Sequence, residues 1–474
     1  MISRPLVVDL DGTLLRSDVL IESGFRYLKS SPHHFLVPLA WLARGGKPRL
    51  KAQLAAETEL DVSVLPFDQQ IVEWLKEERA NGRTIVLATA SHEKYAHAIA
   101  RHLELFDEVL ASDEQVNLSA HRKKDRLVAR FGERGFDYAG NSRDDVPVWQ
   151  AAERAYVVNA PAAVRRAAQK FGNVERVFES RAPAVKTWAR SLRMHQWLKN
   201  LLIFVPLLAG HMLGSLQLIA DAALAFIAFG LCASSVYLLN DLLDLEDDRH
   251  HPTKCRRPLA AGALPLVWGL AAFPILLVSA FTLAFIALPW RFCVVLLGYY
   301  ALTVAYSTAL KRVVMVDVVV LALLYTVRIV AGTTAIATHL TFWLLAFSMF
   351  IFLSLALVKR YAELLSMKKR GLTQSRGRGY VASDLELVSS LGSASGYLSV
   401  LVLAMYIQDP KTAQLYRYPQ IIWLACPLLL YWISRTWILA HRGHMHDDPI
   451  IFAVRDRVSL VVIGLCGLVF WAAI

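Results

Sequence analysis

The sequence predicts an N-terminal α/β domain with a helical cap, followed by an all-α, multi-pass membrane bundle of about nine transmembrane helices. Three observations carry this reading. The 474 residues are 55% hydrophobic with a mean hydropathy of +0.40, too apolar for a soluble chain of this size. The apolar residues are unevenly spread: positions 1 to about 190 have ordinary charge density, whereas 200–474 contain repeated long apolar runs. The chain also opens on a short apolar strand, Leu6 to Val8, that runs into Asp9-Leu10-Asp11-Gly12-Thr13, where the glycine permits a tight turn.

Apolar runs at about 200–216, 219–240, 265–288, 292–309, 314–336, 341–358, 391–407, 419–439 and 457–474 read as membrane spans. The expected organisation is a soluble domain at 1–180, an amphipathic linker at 181–198 and a membrane domain at 199–474. The connections 241–263, 310–313, 359–389 and 440–456 hold 15 Lys and Arg, against only Arg291, Lys411 and Arg417 in the alternate ones. The positive-inside rule therefore puts these loops and the soluble domain in the cytoplasm, at the inner membrane. Met1 to Ser17 has no basic leader with a long apolar stretch, so no cleaved signal peptide is expected. The net charge of +12 gathers beside the spans, where lipid headgroups and phosphorylated substrates account for it better than nucleic acid does. Five scattered cysteines with no C-x-x-C give no reason to expect disulfides or structural zinc.

Asn240, Asp241, Asp244 and Asp248 cap the cytosolic end of an apolar helix, and Lys254, Arg256 and Arg257 follow within ten residues of them. Spacings of three and four residues put Asp241, Asp244 and Asp248, and likewise Asn240, Asp244 and Asp248, on one helical face. Carboxylates packed so closely repel unless a cation lies between them. Mg²⁺ prefers a few carboxylates plus phosphate oxygens, and the basic cluster suits the far side of a diphosphate. The predicted chemistry is departure of pyrophosphate.

In the soluble domain, two carboxylates two residues apart can divide labour. Asp9 would attack phosphorus, while Asp11 would protonate the leaving alcohol and later activate water. A second strand, Ile85 to Ala88, ends in Thr89, and Phe136 to Ala139 leads into Gly140-Asn141-Ser142-Arg143-Asp144-Asp145. These motifs, in this order, resemble the haloacid dehalogenase superfamily of phosphatases, with a Rossmann-like core. The resemblance implies that Thr89 binds a phosphoryl oxygen and that Lys123 supplies an ammonium, chosen over Lys124 because Leu127 follows one turn later. It also implies Mg²⁺ held by Asp9, Asp11, Asn141 and Asp145. Asn141 is a departure, because the family usually has a carboxylate there. The helical cap is expected at about 14–84. Its apolar stretch, Phe35 to Ala43, is too short to span a bilayer and reads either as cap core or as a lipid contact that presents a membrane-borne phosphoester to Asp9.

The membrane part, from about Arg190, resembles the UbiA superfamily of intramembrane prenyltransferases, a nine-helix bundle. The Asn240 motif carries most of this, with Tyr306 to Lys311 and Asp317 as a second site that lacks the usual second acidic run. The sequences Met194-His195-Gln196-Trp197-Leu198-Lys199-Asn200, His251 to Lys254 running on to Arg257-Pro258, Lys359 to Glu363, and Asp447-Asp448-Pro449 leading to Arg455-Asp456-Arg457 look closest to the polyprenyl-phosphate phosphoribosyltransferases. The resemblance implies phosphoribosyl diphosphate and a polyprenyl phosphate as partners, with Mg²⁺ at Asn240, Asp244, Asp248 and Asp317. A lone Asp317 in an apolar helix needs a metal or a partner such as Arg328. Tyr306, Lys311, Tyr325 and Arg328 read as phosphate contacts, and Lys199, Asn200, Lys359 and Arg360 as candidates for the lipid phosphate or the sugar 5-phosphate. The fused phosphatase would then remove that 5-phosphate. Competing expectations are transfer of a prenyl group to an aromatic acceptor and a non-enzymatic lipid carrier. Small-residue faces at Ala331-Gly332 and Gly392 to Gly396 permit close packing within one chain or in a homo-oligomer.

Overall fold

The computed structural model describes residues 4–34, 36–113, 117–180, 183–371, 379–410, 415–445 and 448–474. Phe35, Arg181, Arg376, Arg378, Lys411 and Asp447, all used in the sequence reading, lie outside the described residues. The chain divides into two compact units. One is Met1–Leu192 with Leu238–Ala272, and the other is Arg193–Tyr237 with Phe273–Ile474.

The first unit is built on six strands: β1 (Leu6–Val8), β2 (Ile85–His92), β3 (Glu108–Ser112), β4 (Asp137–Gly140), β5 (Ala155–Val158) and β6 (Val174–Phe178). All pair in parallel, in the order β3-β2-β1-β4-β5-β6. Successive strand residues point to opposite faces, and both faces are apolar here. Leu6, Val8 and Leu87 enter one core with Ile71, Leu75 and Ile99, while Val7, Val86 and Ala88 enter the other with Leu127 and Trp149. The order reverses at β1, whose neighbours are β2 and β4, and a crevice for ligands forms at the carboxyl ends of strands flanking such a reversal. Asp9 and Asp11 follow β1, Thr89 lies in the last half of β2, and Asn141 to Asp145 follow β4.

Between β1 and β2 come helices α1 (Val19–Ser30), α2 (Val37–Glu57) and α3 (Gln69–Ala80). Asp18 caps α1 by accepting from the Leu20 and Ile21 amides. Helix α3 belongs to the sheet layer, because Ile71, Val72, Trp74 and Leu75 are buried and Trp74 packs on Tyr156 and Phe178. In α2, Trp41 tucks against Tyr27, but Leu36, Leu39 and Leu42 stand 59%, 60% and 40% exposed. The stretch read as possible cap core thus turns its leucines outward.

Among the described residues, seven helices are long and apolar enough to cross a membrane: Leu216–Leu243, Leu266–Ala287, Trp290–Thr308, Val316–Ala335, Phe342–Lys369, Ala382–Gln408 and Pro419–His441. Pro449–Arg455 and Arg457–Ala473, bent by 82°, make an eighth if they are one broken span. The bend falls at Asp456, whose backbone is extended and whose side-chain carboxylate caps the second helix by accepting from the Ser459 amide at 2.8 Å. The expected first span at 200–216 is corrected. A 3₁₀ segment, Met194–Phe204, leads to a five-residue helix, Val205–Ala209, that ends at Gly210. Pro206 and Gly210 punctuate the chain too closely for a span.

The small-residue faces are used within the chain. A Cβ on Gly332 would lie 2.1 Å from the Ile203 carbonyl oxygen, and one on Gly392 would lie 2.1 Å from the Trp437 ring. Backbone and ring cannot yield by that much, so Gly332→Val is expected to cost at least the roughly 1–3 kcal/mol typical of overpacking. Thermal unfolding of the detergent-solubilised protein would show this as a lowered Tm; an unchanged Tm would contradict the packing.

Candidate functional site

The crevice beyond β1 collects the first cluster. Asp9, Asp11 and Thr13 follow β1, Thr89 and Ser91 close β2, and Asn141 to Asp145 follow β4. From helix α4 (Glu93–Leu103) onward the next helix, α5 (Ala120–Phe131), buries Lys123 one turn before the core residue Leu127. Lys123 Nζ donates to Asp9 Oδ1 at 2.7 Å and to the Tyr138 hydroxyl at 3.0 Å, and lies 3.6 Å from Asp145 Oδ1. Asp11 accepts from the Val19 amide at 2.8 Å and the Ser91 hydroxyl at 2.6 Å. Gly12, at φ +77°, is needed because a Cβ there would sit 1.9 Å from the Asn141 amide nitrogen. The sequence expectation for Asp9, Asp11, Thr89, Lys123 and Asn141 is thus a single physical neighbourhood.

Burial pushes the Asp9 carboxyl up to about 6 against the pull of Lys123. Burial, with Asp18 and Asp9 nearby, pushes Asp11 up to about 7. Desolvation disfavours the charged forms, so a cation would be welcome here. Asp145 is more committed than expected. Its carboxylate accepts from the Asn141 and Ser142 amides, the Ser142 hydroxyl and, at 2.6 Å, the Tyr138 hydroxyl, so it organises the loop instead of lying open as a ligand. The Thr13 hydroxyl is buried without a hydrogen-bond partner beside this cluster's first loop.

The second cluster lies in the same unit. The helix Leu216–Leu243 does not run through the acidic motif. Asp244 interrupts it and starts a short helix, Leu245–His250, while the Asp244 and Asp248 amides still donate to the carbonyls four residues before them. Asp241 and Asp248, two of the residues expected on one face, share the Arg257 guanidinium at 3.1 and 2.5 Å. Both carboxylates are almost fully buried, and burial raises Asp248 in spite of Arg257. Lys254 stands 3.9 Å from Asp248, and Arg256 is exposed. The guanidinium shows that these two carboxylates converge on one cation. Among the described residues no three His, Cys, Asp or Glu side chains form a metal cage. An all-oxygen pair completed by substrate phosphate and water is the mode Mg²⁺ favours, and Asp241 and Asp248 fit it.

The third cluster belongs to the other unit. Asp448 accepts from Lys199 at 2.7 Å, from Lys359 at 3.4 Å and from the Tyr325 hydroxyl at 2.7 Å. Arg328 donates to the Asn200 side-chain oxygen at 3.0 Å and to the Tyr299 hydroxyl at 3.3 Å, among the rings of Phe229, Tyr299 and Tyr325. The Asn200 amide nitrogen is buried without a partner. Lys199, Asn200, Tyr325, Arg328 and Lys359 therefore form one cationic group with a single carboxylate. Asp317 does not join it and does not pair with Arg328. Fully buried, it is held by Arg360 and by the Tyr380 hydroxyl at 2.7 Å. Arg360 also pairs with Glu363, which withdraws both expected ligands, Asp317 and Arg360, into structure. Tyr306 closes the helix Trp290–Thr308, and Lys311 lies in the 3₁₀ turn after it.

Sequence reasoning missed Ser91, Tyr138 and Asp448 as site residues. Ser91 follows Thr89 by the two-residue strand period, and Asp448 was visible only as part of a flanking signature. Tyr138 gave no signal, since an aromatic in a strand is ordinary core.

Residues 203–455 match the UbiA prenyltransferase family, and residues 6–150 match the haloacid dehalogenase-like hydrolases. An uncharacterized protein of Sinorhizobium fredii is 36% identical over 98% of this chain and 90% of its own length. Decaprenyl-phosphate phosphoribosyltransferase of Mycobacterium tuberculosis is 30% identical over 57% of this chain and 88% of its own. The structure of a UbiA homolog from Archaeoglobus fulgidus bound to GPP and Mg²⁺ aligns with a TM-score of 0.46 and 19% identity, over 60% of this chain and 99% of that one. This chain is an integral membrane enzyme of the UbiA prenyltransferase family, a transferase that carries a haloacid dehalogenase-like domain at its N-terminus.

Proposed function

We propose that this protein transfers the 5-phosphoribosyl group of phosphoribosyl diphosphate to a polyprenyl phosphate and then removes the 5-phosphate, yielding polyprenyl-phosphoryl ribose. The observation that carries the proposal is the convergence of Asp241 and Asp248 on a cation in a chain that also holds the Asp9–Lys123 phosphatase cluster. The 30% identity to an enzyme named for phosphoribosyl transfer to decaprenyl phosphate supports the choice of substrates. The arrangement also disfavours aromatic prenylation, because the carboxylate at the second site, Asp317, is spent on Arg360.

In the transfer step the bond between the anomeric carbon and pyrophosphate breaks, pyrophosphate leaves with the electron pair, and a polyprenyl phosphate oxygen bonds to that carbon. Mg²⁺, when bound, neutralises the departing diphosphate. Asp241, Asp244 and Asp248, with Asn240, would hold it, and Arg257, Lys254 and Arg256 would take the phosphate oxygens that the metal leaves. The acceptor already bears an anionic oxygen, so no strong base is needed. Lys199, Lys359, Arg328 and Asn200 would seat an anionic group of either substrate, with Asp448 and Tyr325 keeping the lysines in place. Tyr306 and Lys311 remain secondary candidates.

In the second step Asp9 attacks the phosphorus and the ribose 5-oxygen leaves with a proton from Asp11. Water activated by Asp11 then releases phosphate from Asp9. Lys123 and Thr89 would steady the phosphoryl oxygens, and Asn141 would contribute a neutral oxygen to Mg²⁺. The outward leucines of α2 would rest on the cytoplasmic leaflet and bring the lipid-borne phosphoester to this site. Tethering supplies that product at high effective concentration. The orientation that places both sites in the cytoplasm rests on the Lys and Arg distribution.

Two variants separate the steps. With labelled phosphoribosyl diphosphate and polyprenyl phosphate, Asp248→Asn is expected to slow label entry into lipid by about 10²–10³-fold. Asp9→Asn should leave label entry intact but accumulate the 5-phosphorylated lipid, its loss of phosphate slowed by on the order of 10³-fold. Dephosphorylated product from purified Asp9→Asn would refute the fused pathway.

Metal removal should depend on pH. With folded-state pKa values raised from 3.8 to about 6 and 7, Asp9 and Asp11 cost the fold stability progressively as pH rises from about 4 to about 7, and only towards and above the top of that window are both charged in the folded protein. Mg²⁺ relieves that repulsion, so chelation should lower Tm more at pH 8 than at pH 5. An equal loss at both values would contradict the assignment.

A further inference from the structure

The acidic motif of the membrane helix is gripped by the first helix of the haloacid dehalogenase-like domain. Within their common unit, Glu22 on α1 accepts both terminal nitrogens of Arg249, at 2.6 and 3.0 Å, and both side chains are nearly inaccessible, 4% and 6% exposed. The Ser17 hydroxyl donates to the same carboxylate at 2.5 Å, and Arg249 Nε donates to the Ala260 carbonyl at 3.1 Å. Weaker, more exposed pairs flank this one: Arg26 with Glu246, Lys29 with Asp247 at 3.5 Å, and His250 with Asp61 at 3.1 Å. Gly262 completes the fit, since a Cβ there would fall 2.6 Å from the Arg16 side chain.

Exposed pairs of this kind contribute little, whereas a buried bidentate pair fixes geometry because either charge left alone is strongly unfavourable. Its position decides what it fixes. Arg249 follows Asp248 directly, and Asp248 must meet Asp241 across Arg257. Helix α1 is itself tied to the other motif, through the bond from the Val19 amide to Asp11. One turn of helix thus links the two acidic motifs.

We infer that Glu22 is a positioning residue for the transferase motif, so the phosphatase domain has a second, non-hydrolytic role as the scaffold of the Asp241–Arg257 segment. Its activity readout rests on the phosphoribosyl-transfer reading; its structural readout does not. The test uses full-length Glu22→Gln in detergent. Without substrate, hydrogen exchange is expected to speed up by about tenfold or more in 241–257 while the sheet strands keep their protection. In the transfer assay, the half-saturating Mg²⁺ concentration should rise about tenfold. The double variant Glu22→Leu/Arg249→Leu leaves no orphaned charge, so it separates lost positioning from lost folding, and it should show the same raised Mg²⁺ requirement. Unchanged exchange in 241–257 in Glu22→Gln, or a normal Mg²⁺ requirement in a folded double variant, would overturn the inference. If the wild type moves no phosphoribosyl label at all, the functional reading fails, and the exchange result still decides this one.

Discussion

Carboxylates crowded together in buried places demand a positive partner, and both candidate sites of this protein are organised round that demand. In the crevice beyond β1, Asp9 and Asp11 are desolvated and held above the usual carboxylate range, with Lys123 as the local cation. At the end of the helix Leu216–Leu243, Asp241 and Asp248 are drawn together by Arg257. In each case basic side chains meet the carboxylates, Lys123 in the first and Arg257 with Lys254 in the second, and the carboxylates are of the kind that suits a hard metal with a phosphate ligand of its own. Among the described residues neither place holds a cage of three such ligands. A site filled by protein groups alone would have no room for the diphosphate or phosphoester.

Charge within the apolar helices obeys a stricter version of the rule. Asp317 is shut against Arg360 and Tyr380, and Arg328 lies among three aromatic rings with Asn200 on its edge. Intramembrane charges are costly and persist when paired or when they serve a ligand. Asp317 belongs to the first kind. The proposed role of the group around Asp448 is of the second kind, since among the described residues it has more cations than carboxylates and a buried side-chain amide nitrogen without a partner.

Much of this was legible in the sequence because local patterns carry it. The strand-turn motif at Asp9, the spacing of Lys123 before Leu127, and the apolar runs each follow from one element's periodicity. What sequence could not give depends on distant partners. The helix carrying Asn240 was expected to continue through Asp248, but it is interrupted at Asp244, and the Arg257 that Asp241 and Asp248 share comes from the following loop. Asp317 was matched to Arg328 by proximity in one helix, and its partner Arg360 comes from the helix Phe342–Lys369. The 200–216 run satisfied hydropathy, yet Pro206 and Gly210 cut it into pieces. Glu22, in the first turn of α1, gives no signal in the sequence, because its partner Arg249 lies 227 residues away.

The most direct test of the central claim is to follow both lipid products over time in the purified wild-type protein, given Mg²⁺, labelled phosphoribosyl diphosphate and polyprenyl phosphate. The account predicts that label enters lipid first as a phosphoribosyl species, which then decays into one lighter by a single phosphoryl group. Failure of label to enter lipid, with turnover of polyprenyl diphosphate and an aromatic acceptor instead, would contradict it.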